Sequence, residues 1–250
     1  MISVVIPTLN AEATLAATLT ALVPAAVDGL VREVIVVDGG STDKTAAIVE
    51  DAGAQLICKS GGRGHQLTVG ALRAKQPWLL FLHADTVLEA GWERAANLFI
   101  ERSDGKPDRA SAGVFRFALD DIGAKPRLLE RLVAARYALF RLPYGDQGLL
   151  IPRTLYDKVG EFRPLPLMED VDFVRRLGRR RMTLLSARAI TSADRYQRDG
   201  YVRRSFRNLM CLTLYFAGIP TNVINRKPAS RSQLAAAILD QLHYLQRRQH

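Results

Sequence analysis

Short apolar runs alternate with longer segments of helical periodicity over the first hundred residues of the chain. The runs are almost uninterrupted and rich in β-branched residues, which is typical of strands buried on both faces. In the segments between them, apolar residues recur every three or four positions, as on one face of a helix. This alternation predicts an α/β fold with a mostly parallel central sheet flanked by helices. The four predicted strands are ISVVI, EVIVVD, AQLIC and WLLFLHAD.

Polar side chains gather where these four strands end. The carboxyl ends of parallel strands meet at one edge of a sheet, which is where α/β proteins bind ligands. Each polar residue taken alone could be only a helix cap or a turn residue. Their recurrence on four successive strands predicts a binding site at that edge. In strand order the residues are Thr8, Asn10 and Glu12, then Asp38, then Lys59 and Arg63, then His83 and Asp85.

The pattern changes after about residue 105. The segment SAGVFRFAL alternates apolar and polar positions, which predicts an edge strand or an antiparallel strand. The segment PRLLERLVAARYALFRL has helical periodicity, with Pro126 at a favourable first position. Further on, LPLMEDVDFVRRLGRRR is predicted to be a loop that runs into a helix.

Charge and composition narrow the class of partner. The 250 residues carry a formal net charge of +10, with a pI near 10.0, and 48% of them are hydrophobic. A strongly basic chain is expected to meet an anionic partner, such as nucleic acid, a phosphate-bearing substrate or an anionic membrane surface. No apolar run reaches the ~20 residues of a membrane span. We read MISVVIPTLN as a strand and not as a signal peptide.

The two cysteines, Cys58 and Cys211, lie far apart and in no metal-binding array. We expect both to be buried free thiols in a reducing compartment, and the protein to be cytoplasmic.

The stretch His83-Ala84-Asp85 closes a strand that is otherwise apolar. A carboxylate at the end of a buried strand is costly unless it is paired or metal-bound. Asp85 could bind Mg²⁺ or Mn²⁺ through one oxygen, with diphosphate oxygens and water as the other ligands. It could instead cap a helix near Leu88–Ala90. His83 is a ligand or a hydrogen-bonded, partly buried imidazole.

The glycine-rich stretch KSGGRGHQ would let the backbone approach a phosphate closely, with Lys59 and Arg63 supplying positive charge. It lacks the P-loop pattern, and it is not the GxGxxG of a dinucleotide site after the first strand. The alternative is a flexible surface loop with solvated charges.

Two acidic stretches complete the candidate chemistry. MEDVDF places three acids where a helix begins, which could be ordinary complementarity to the helix dipole. Apolar neighbours could also raise the pKa of one of these carboxyls and make it a general base. GDQG, which contains Asp146 and Gln147, is a tight loop that either only turns the chain or contributes to a site.

The ordered set of motifs resembles the family 2 glycosyltransferases, which have the GT-A fold. The resemblance covers roughly residues 1–195, and it is especially close to a bacterial subgroup called rSAM/selenodomain-associated transferases. The motifs that carry it are VVIPTLNAE, EVIVVDGGSTD, GRGHQLTVGA, FLHADT, GDQG and MEDVDF.

The resemblance implies a role for each motif. Asp85 matches the metal-binding position of the family's Asp-x-Asp, with His83 in place of the first Asp, so the metal is expected to be Mg²⁺ or Mn²⁺. Asp170 matches the catalytic base, beside Glu169, while Asp146 and Gln147 would position the donor sugar or the acceptor. The residues expected to bind the donor nucleotide are Thr8, Asn10, Glu12, Asp38, Lys59, Arg63, Gln66 and His83.

The leading hypothesis is an inverting glycosyltransferase that uses a nucleoside-diphosphate sugar and a hydroxyl acceptor. Residues 1–195 would form one GT-A domain, with a nucleotide-binding half at about 1–105 and an acceptor half at 106–195. Residues 196–250 would form a helical extension packed on it, including a last amphipathic helix near 232–248.

Three alternatives stay open. A sugar-phosphate nucleotidyltransferase would also have a glycine-rich loop with an arginine, although that loop should follow the first strand. A basic nucleic-acid-binding protein would explain the arginine clusters, but no binding motif is present, so no nucleic acid is expected. Residues 201–220 either pack on the core or in a homodimer, or lie at the inner face of the membrane and meet a lipid-linked acceptor.

Overall fold

A computed structural model describes residues 1–103 and 110–225 of the chain. Its strands are β1 Ile2–Thr8, β2 Val31–Asp38, β3 Gln55–Cys58, β4 Trp78–Phe81, β5 Thr86–Leu88, β6 Ala112–Asp120, β7 Leu149–Pro152 and β8 Met182–Ser192. Its helices are α1 Leu15–Thr20, α2 Val23–Val27, α3 Thr45–Asp51, α4 Arg63–Arg73, α5 Trp92–Ser103, α6 Ala124–Phe140, α7 Arg153–Val159, α8 Glu169–Leu177, α9 Asp194–Asp199, α10 Tyr201–Phe216 and α11 Thr221–Ile224.

One sheet runs through the described residues in the order β3-β2-β1-β4-β7-β6-β8-β5. The four strands predicted from the first hundred residues are mutually parallel. Strand β7 is antiparallel to β4 and to β6, and β8 returns parallel to β6. The predicted α/β class, with helices flanking a central sheet, is confirmed.

Helices cover both faces of the sheet because the strands of its first half are apolar on both faces. Val4, Ile6 and Leu80 pack with α1, α3 and α5 in one core cluster. Val5 and Val37 point the other way and pack with α4, α7 and α8. The alternation of side chains along each strand thus divides one apolar run between two cores.

The approach of α4 to the sheet depends on Gly70. A β-carbon at this position would come well inside 3.0 Å of Val5 Cγ1 and within 3.2 Å of Val37 Cγ2. Both neighbours are fully buried β-branched side chains, which have little freedom to move aside. The close contact holds α4, and the loop before it, against the carboxyl ends of β1 and β2.

Two local expectations are wrong, and a third is confirmed in one of its two alternatives. The segment SAGVFRFAL forms β6, which is antiparallel to β7 as one alternative predicted, but it is not an edge strand because it also pairs in parallel with β8. All of β6 except Arg116 and Asp120 is buried. No helix begins near Leu88, because β5 pairs with β8 there and α5 starts only at Trp92. Cys58 is exposed because β3 is an edge strand, whereas Cys211 is half-buried.

Helix α10 packs on the core through one side only. Cys211, Leu212 and Tyr215 contact the margin of the core, while Val202 and Phe206 are 82% and 67% exposed. Within residues 1–103 and 110–225, no helix combines the length and apolar character needed to cross a bilayer. The amphipathic helix predicted near 232–248 lies outside the described residues, and the division of the chain at residue 195 stays a prediction.

Replacing Gly70 with Val should lower the free energy of unfolding by about 3 kcal/mol, because the new methyl groups have no room beside Val5. Urea unfolding followed by circular dichroism measures the change. Leu72→Val, at a position 67% exposed on the same helix, is the matched control and should change stability by less than about 1 kcal/mol. Equal effects of the two substitutions would contradict this account of helix packing.

Candidate active site

A cavity of about 440 Å³ opens at the carboxyl ends of β1, β2 and β4. We call it the strand-end cavity. Parallel registry places Thr8 opposite Asp38, and Asp38 opposite Cys58, so the loops that follow these strands start at the same level. Predicted residues that line this cavity are Thr8, Asn10, Arg63, Gln66, His83 and Asp85.

Asp38 organises the loop after β2 from inside. Its Oδ2 accepts hydrogen bonds from the backbone N–H groups of Gly40 and Ser41, at 3.0 and 2.8 Å. Its Oδ1 accepts from the hydroxyls of Thr8 and Ser41. Burial alone would raise the pKa of Asp38, but these donors outweigh burial and hold the pKa below its ordinary value. The side chain is 4% exposed and does not form part of the cavity wall.

The loops after β1 and β2 are fastened to each other. Asn10 has a left-handed backbone, with φ 51°, and its Oδ1 accepts from the Thr42 N–H at 2.9 Å. Glu12 Oε2 accepts from the Lys44 N–H at 3.0 Å. Glu12 therefore braces the loop from outside the cavity wall, whereas Asn10 lies on it.

Two further predicted residues hold the backbone in place. Gln66 is 5% exposed and donates from Nε2 to the carbonyls of Thr8 and Val37, at 2.8 and 2.9 Å. Lys59 is exposed, does not line the cavity, and donates through its backbone N–H to the Asp38 carbonyl at 2.7 Å.

Arg63, at the start of α4, joins the glycine-rich loop to the start of α8. Its Nε donates to Oε1 of Glu169, which is 2% exposed. Burial opposes the charge on Arg63, but Glu169 and Asp170 overcome it and raise the pKa of this guanidinium. Burial and Asp170 raise the pKa of Glu169, while Arg63 opposes the rise.

His83 is a neutral imidazole that lies between Arg63 and Asp85. Arg63 Nη1 lies 3.4 Å from His83 Nε2. Burial, followed by the charge of Arg63, lowers the pKa of His83 to about 4. At neutral pH the ring therefore adds no positive charge beside Asp85, whose Oδ1 lies 4.0 Å from His83 Nδ1.

The loop containing Asp146 lies directly over His83. A β-carbon on Gly145 would be 2.5 Å from His83 Nε2 and 3.3 Å from Asp170 Oδ2. The Gly145 N–H donates to Asp170 Oδ2 at 2.7 Å, and the Val171 N–H donates to Asp170 Oδ1 at 2.8 Å. The stretches HAD, GDQG and MED, far apart in sequence, thus meet at one point.

Asp146 and Gln147 are held differently. Oδ1 of Asp146 is buried with no hydrogen-bond partner among the described residues. Burial, with Asp170 and Asp85 adding to it against the opposing charge of Arg136, raises the pKa of Asp146 to about 6. Gln147 is 2% exposed and donates from Nε2 to the Phe115 carbonyl at 3.0 Å. Gln147 thus anchors the loop through Nε2, while its Oε1, like Asp146 Oδ1, is buried with no hydrogen-bond partner among the described residues.

Sequence reasoning missed the arginines that follow β8. Arg195 Nη2 lies 3.5 Å from Asp85 Oδ2, and both Arg195 and Arg198 line the strand-end cavity. The Ser192 N–H donates to the Asp85 carbonyl at 2.9 Å, which brings the end of β8 to the end of β4. The available signal was a further strand that ends in polar residues, SADR, as the first four strands do.

Solved structures place this sheet in the GT-A class. TarS from S. aureus, residues 1–349, superposes with a TM-score of 0.59 and 20% identity, over 95% of this chain and 70% of that chain. Glucosyl-3-phosphoglycerate synthase from Mycobacterium tuberculosis, solved in complex with Mn²⁺, UDP and glucosyl-3-phosphoglycerate, superposes with a TM-score of 0.54 and 22% identity, over 88% of this chain and 81% of that chain.

A model of glycosyl transferase family 2 matches residues 3–146, which is more than half of the chain. The protein belongs to that family and is a glycosyltransferase. In sequence, a stretch of 58 residues is 47% identical to glucosyl-3-phosphoglycerate synthase from M. tuberculosis strain H37Rv. The stretch is 23% of this chain and spans 18% of the length of that relative.

Asp146→Asn should stabilise the protein at pH 8 by about 2 kcal/mol, because a buried carboxylate with a raised pKa is destabilising when ionised. The folded state binds the proton more tightly than the unfolded state, so this cost is present above pH 6 and absent below the ordinary Asp pKa of about 4. The stability gain of the variant should therefore vanish between pH 6 and pH 4.

Thermal unfolding of wild type and variant across that range measures the difference. Asp51→Asn, at an exposed site on α3, is the control and should show no such pH dependence. A gain that is constant from pH 8 to pH 4 would refute the assignment of a raised pKa to Asp146.

Proposed function

We propose that this glycosyltransferase moves a sugar from a nucleoside-diphosphate sugar to a hydroxyl acceptor with inversion of configuration, and that Asp170 is the base. The observation that carries the proposal is that Arg63 and His83, which line the strand-end cavity, meet Gly145 and Asp170 beside it. The cavity offers positive charge for a diphosphate, and the hydrogen-bonded carboxylate of Asp170 lines a small pocket next to His83.

Asp170, and not Glu169, suits the role of base. Glu169 is buried and its Oε1 accepts a hydrogen bond from Arg63. Its carboxylate is therefore engaged in an ion pair and is not free to take a proton from the acceptor. Asp170 is half-buried, and among the described residues its hydrogen-bond donors are two backbone N–H groups, one on each oxygen, which leaves lone pairs for an acceptor hydroxyl. We assign Glu169 to positioning Arg63.

The transfer then proceeds in one displacement. The acceptor hydroxyl oxygen bonds to the anomeric carbon while the bond from that carbon to the diphosphate breaks. The electron pair leaves with the nucleoside diphosphate, and the hydroxyl proton passes to Asp170. Arg63 and Arg195 lie where they can hold the negative charge of the leaving group.

The donor nucleotide is proposed to be a uridine diphosphate. TarS has been solved with UDP-GlcNAc and the mycobacterial synthase with UDP. Thr8, Asn10 and the loop held by Asp38 form the side of the cavity where the base and ribose would lie.

A divalent metal fits this site only together with the donor. Among the described residues, no group of three His, Cys, Asp or Glu side chains could hold an ion. Asp85 supplies one carboxylate on the cavity wall, and Mg²⁺ or Mn²⁺ is often bound by one carboxylate plus substrate phosphates and water. Asp85 would hold the ion, which would neutralise charge on the diphosphate.

The exposed side of α10 is proposed to rest on the cytoplasmic face of a membrane. Val202, Phe206 and Leu209 are exposed there, beside the basic residues Arg203 and Arg207. Apolar side chains flanked by arginines favour binding to an anionic lipid surface. Burial of the same side chains in a homodimer is the alternative.

UDP should raise the melting temperature, and more so with Mn²⁺, because a ligand that binds only the folded state stabilises it by about 2.7 kcal/mol at a hundred times its Kd. GDP, ADP and CDP serve as comparisons. Asp85→Asn should remove the metal-dependent part of the rise, whereas Asp157→Asn, on the exposed side of α7, should change nothing. No rise with any nucleotide would rule out the donor site.

Asp170→Asn should reduce turnover of the donor by about 10²-fold to 10⁴-fold, the usual contribution of a general base. Asparagine keeps an oxygen that can accept from Gly145 but cannot take a proton at neutral pH. Release of UDP in single-turnover assays measures the rate, and calorimetric binding of UDP should be unchanged. Wild-type turnover in this variant would remove Asp170 as the base.

A further inference from the structure

The structure contains a second and larger cavity, between α6 and α10, with a volume of about 1030 Å³. We call it the α6–α10 cavity. Its wall is mostly apolar and includes Leu132, Val133, Leu139, Leu209 and Phe216. Eight of the sixteen exposed large hydrophobic side chains in the described part of the chain lie on these two helices. Such a concentration of exposed apolar surface indicates a binding site.

The α6–α10 cavity borders the site of transfer through shared residues. A small pocket of about 30 Å³ is lined by His83 of the strand-end cavity, by Asp170, and by Tyr144 of the α6–α10 cavity. Asp146, which follows Gly145 above His83, is itself part of the α6–α10 cavity wall. A ligand in this cavity would therefore end beside the small pocket that Asp170 lines.

Two residues of the cavity wall, Arg136 and Asp146, each have a buried polar atom without a hydrogen-bond partner among the described residues. Arg136 donates from Nε to the Leu142 carbonyl at 3.0 Å, and its guanidinium carbon lies 3.5 Å from the centre of the Tyr144 ring. Its Nη2, like Asp146 Oδ1, is buried with no hydrogen-bond partner among the described residues. Buried polar atoms without partners are costly, so a ligand that satisfies both is favoured.

The charge around the cavity has one dominant sign. Arg141, Arg175 and Arg179 also line it, and Asp146 is the one acidic residue of its described wall. An apolar cavity lined by four arginines complements a hydrocarbon chain that carries an anion.

We infer that the α6–α10 cavity takes the acceptor, and that this acceptor is an amphiphile: a hydrocarbon chain with an anionic, phosphate-type head that carries the accepting hydroxyl. The chain lies along Leu132, Leu139 and Leu209, and the anion pairs with Arg136. The hydroxyl donates to Asp146 or Asp170 at the point where the two cavities meet. The inference rests on the proposed function and adds the class of acceptor to it.

Calorimetry on the full chain, with ligands of matched chain length below their micelle concentrations, tests the inference. Octyl phosphate has both chain and anion, octyl glucoside has the chain alone, and inorganic phosphate has the anion alone. Octyl phosphate should bind about tenfold more tightly than either of the others, which corresponds to one charge-assisted contact or a few buried methylenes.

Two pairs of variants locate the binding. Ala135→Trp fills the cavity and should weaken octyl phosphate about tenfold, whereas Ala134→Trp, also exposed but outside the cavity wall, should not. Arg136→Met should reduce the affinity for octyl phosphate to that for octyl glucoside. Arg131→Met, on the same helix and outside the wall, should leave it unchanged.

Each other result has a defined meaning. The inference is overturned if octyl phosphate fails to bind or binds no better than inorganic phosphate. It is also overturned if Ala134→Trp and Ala135→Trp weaken octyl phosphate binding equally. If UDP still binds in that case, the proposed transfer stands and only the acceptor class is wrong. If octyl phosphate binds as expected but no nucleoside diphosphate does, the α6–α10 cavity is an amphiphile-binding site and the proposed glycosyl transfer is wrong.

Discussion

The ion pair between Arg63 and Glu169 is the contact on which the arrangement of the site depends. It joins the first residue of α4 to the first residue of α8, which are far apart in sequence. Because Glu169 is 2% exposed, losing Arg63 would leave an uncompensated buried carboxylate, at a cost of about 3–5 kcal/mol. The pair therefore keeps Asp170, the next residue, directed at Gly145, and keeps Arg63 directed at His83.

Neighbouring contacts allow α4 to sit close enough for this pair to form. Gly64 directly follows Arg63 at the start of α4, and a β-carbon there would collide with the Arg163 carbonyl on the loop before α8. Gly70 likewise lets α4 lie close to β1 and β2, because a β-carbon there would collide with Val5 and crowd Val37. Gly64 and Gly70 of the segment GRGHQLTVGA thus allow close packing of the helix on two sides.

Sequence alone predicted the half of the site that is built from consecutive strands. A buried strand that ends in a polar residue is a local signal, and parallel strands bring such ends together, so the placing of Asn10, Arg63, His83 and Asp85 on one cavity could be expected. Arg195 and Arg136 could not be. Their positions depend on β8 pairing with β5 and β6, and on α6 lying beside α10, which are long-range contacts without a local pattern. Glu12, Asp38 and Gln66 fit the motifs, but their side chains mainly brace the loops from inside.

The contact between Arg195 and Asp85 has a thermodynamic consequence for ligand binding. An anion alone must draw Arg195 away and leave Asp85 without a counter-charge, while a cation alone must displace Arg195 from Asp85. A ligand that brings both charges at once satisfies both side chains. If the donor arrives as a metal-bound diphosphate, its two components help each other to bind, and the free energy of separating the pair is the origin of their coupling. The site is in this sense selective for an ion pair over either of its ions.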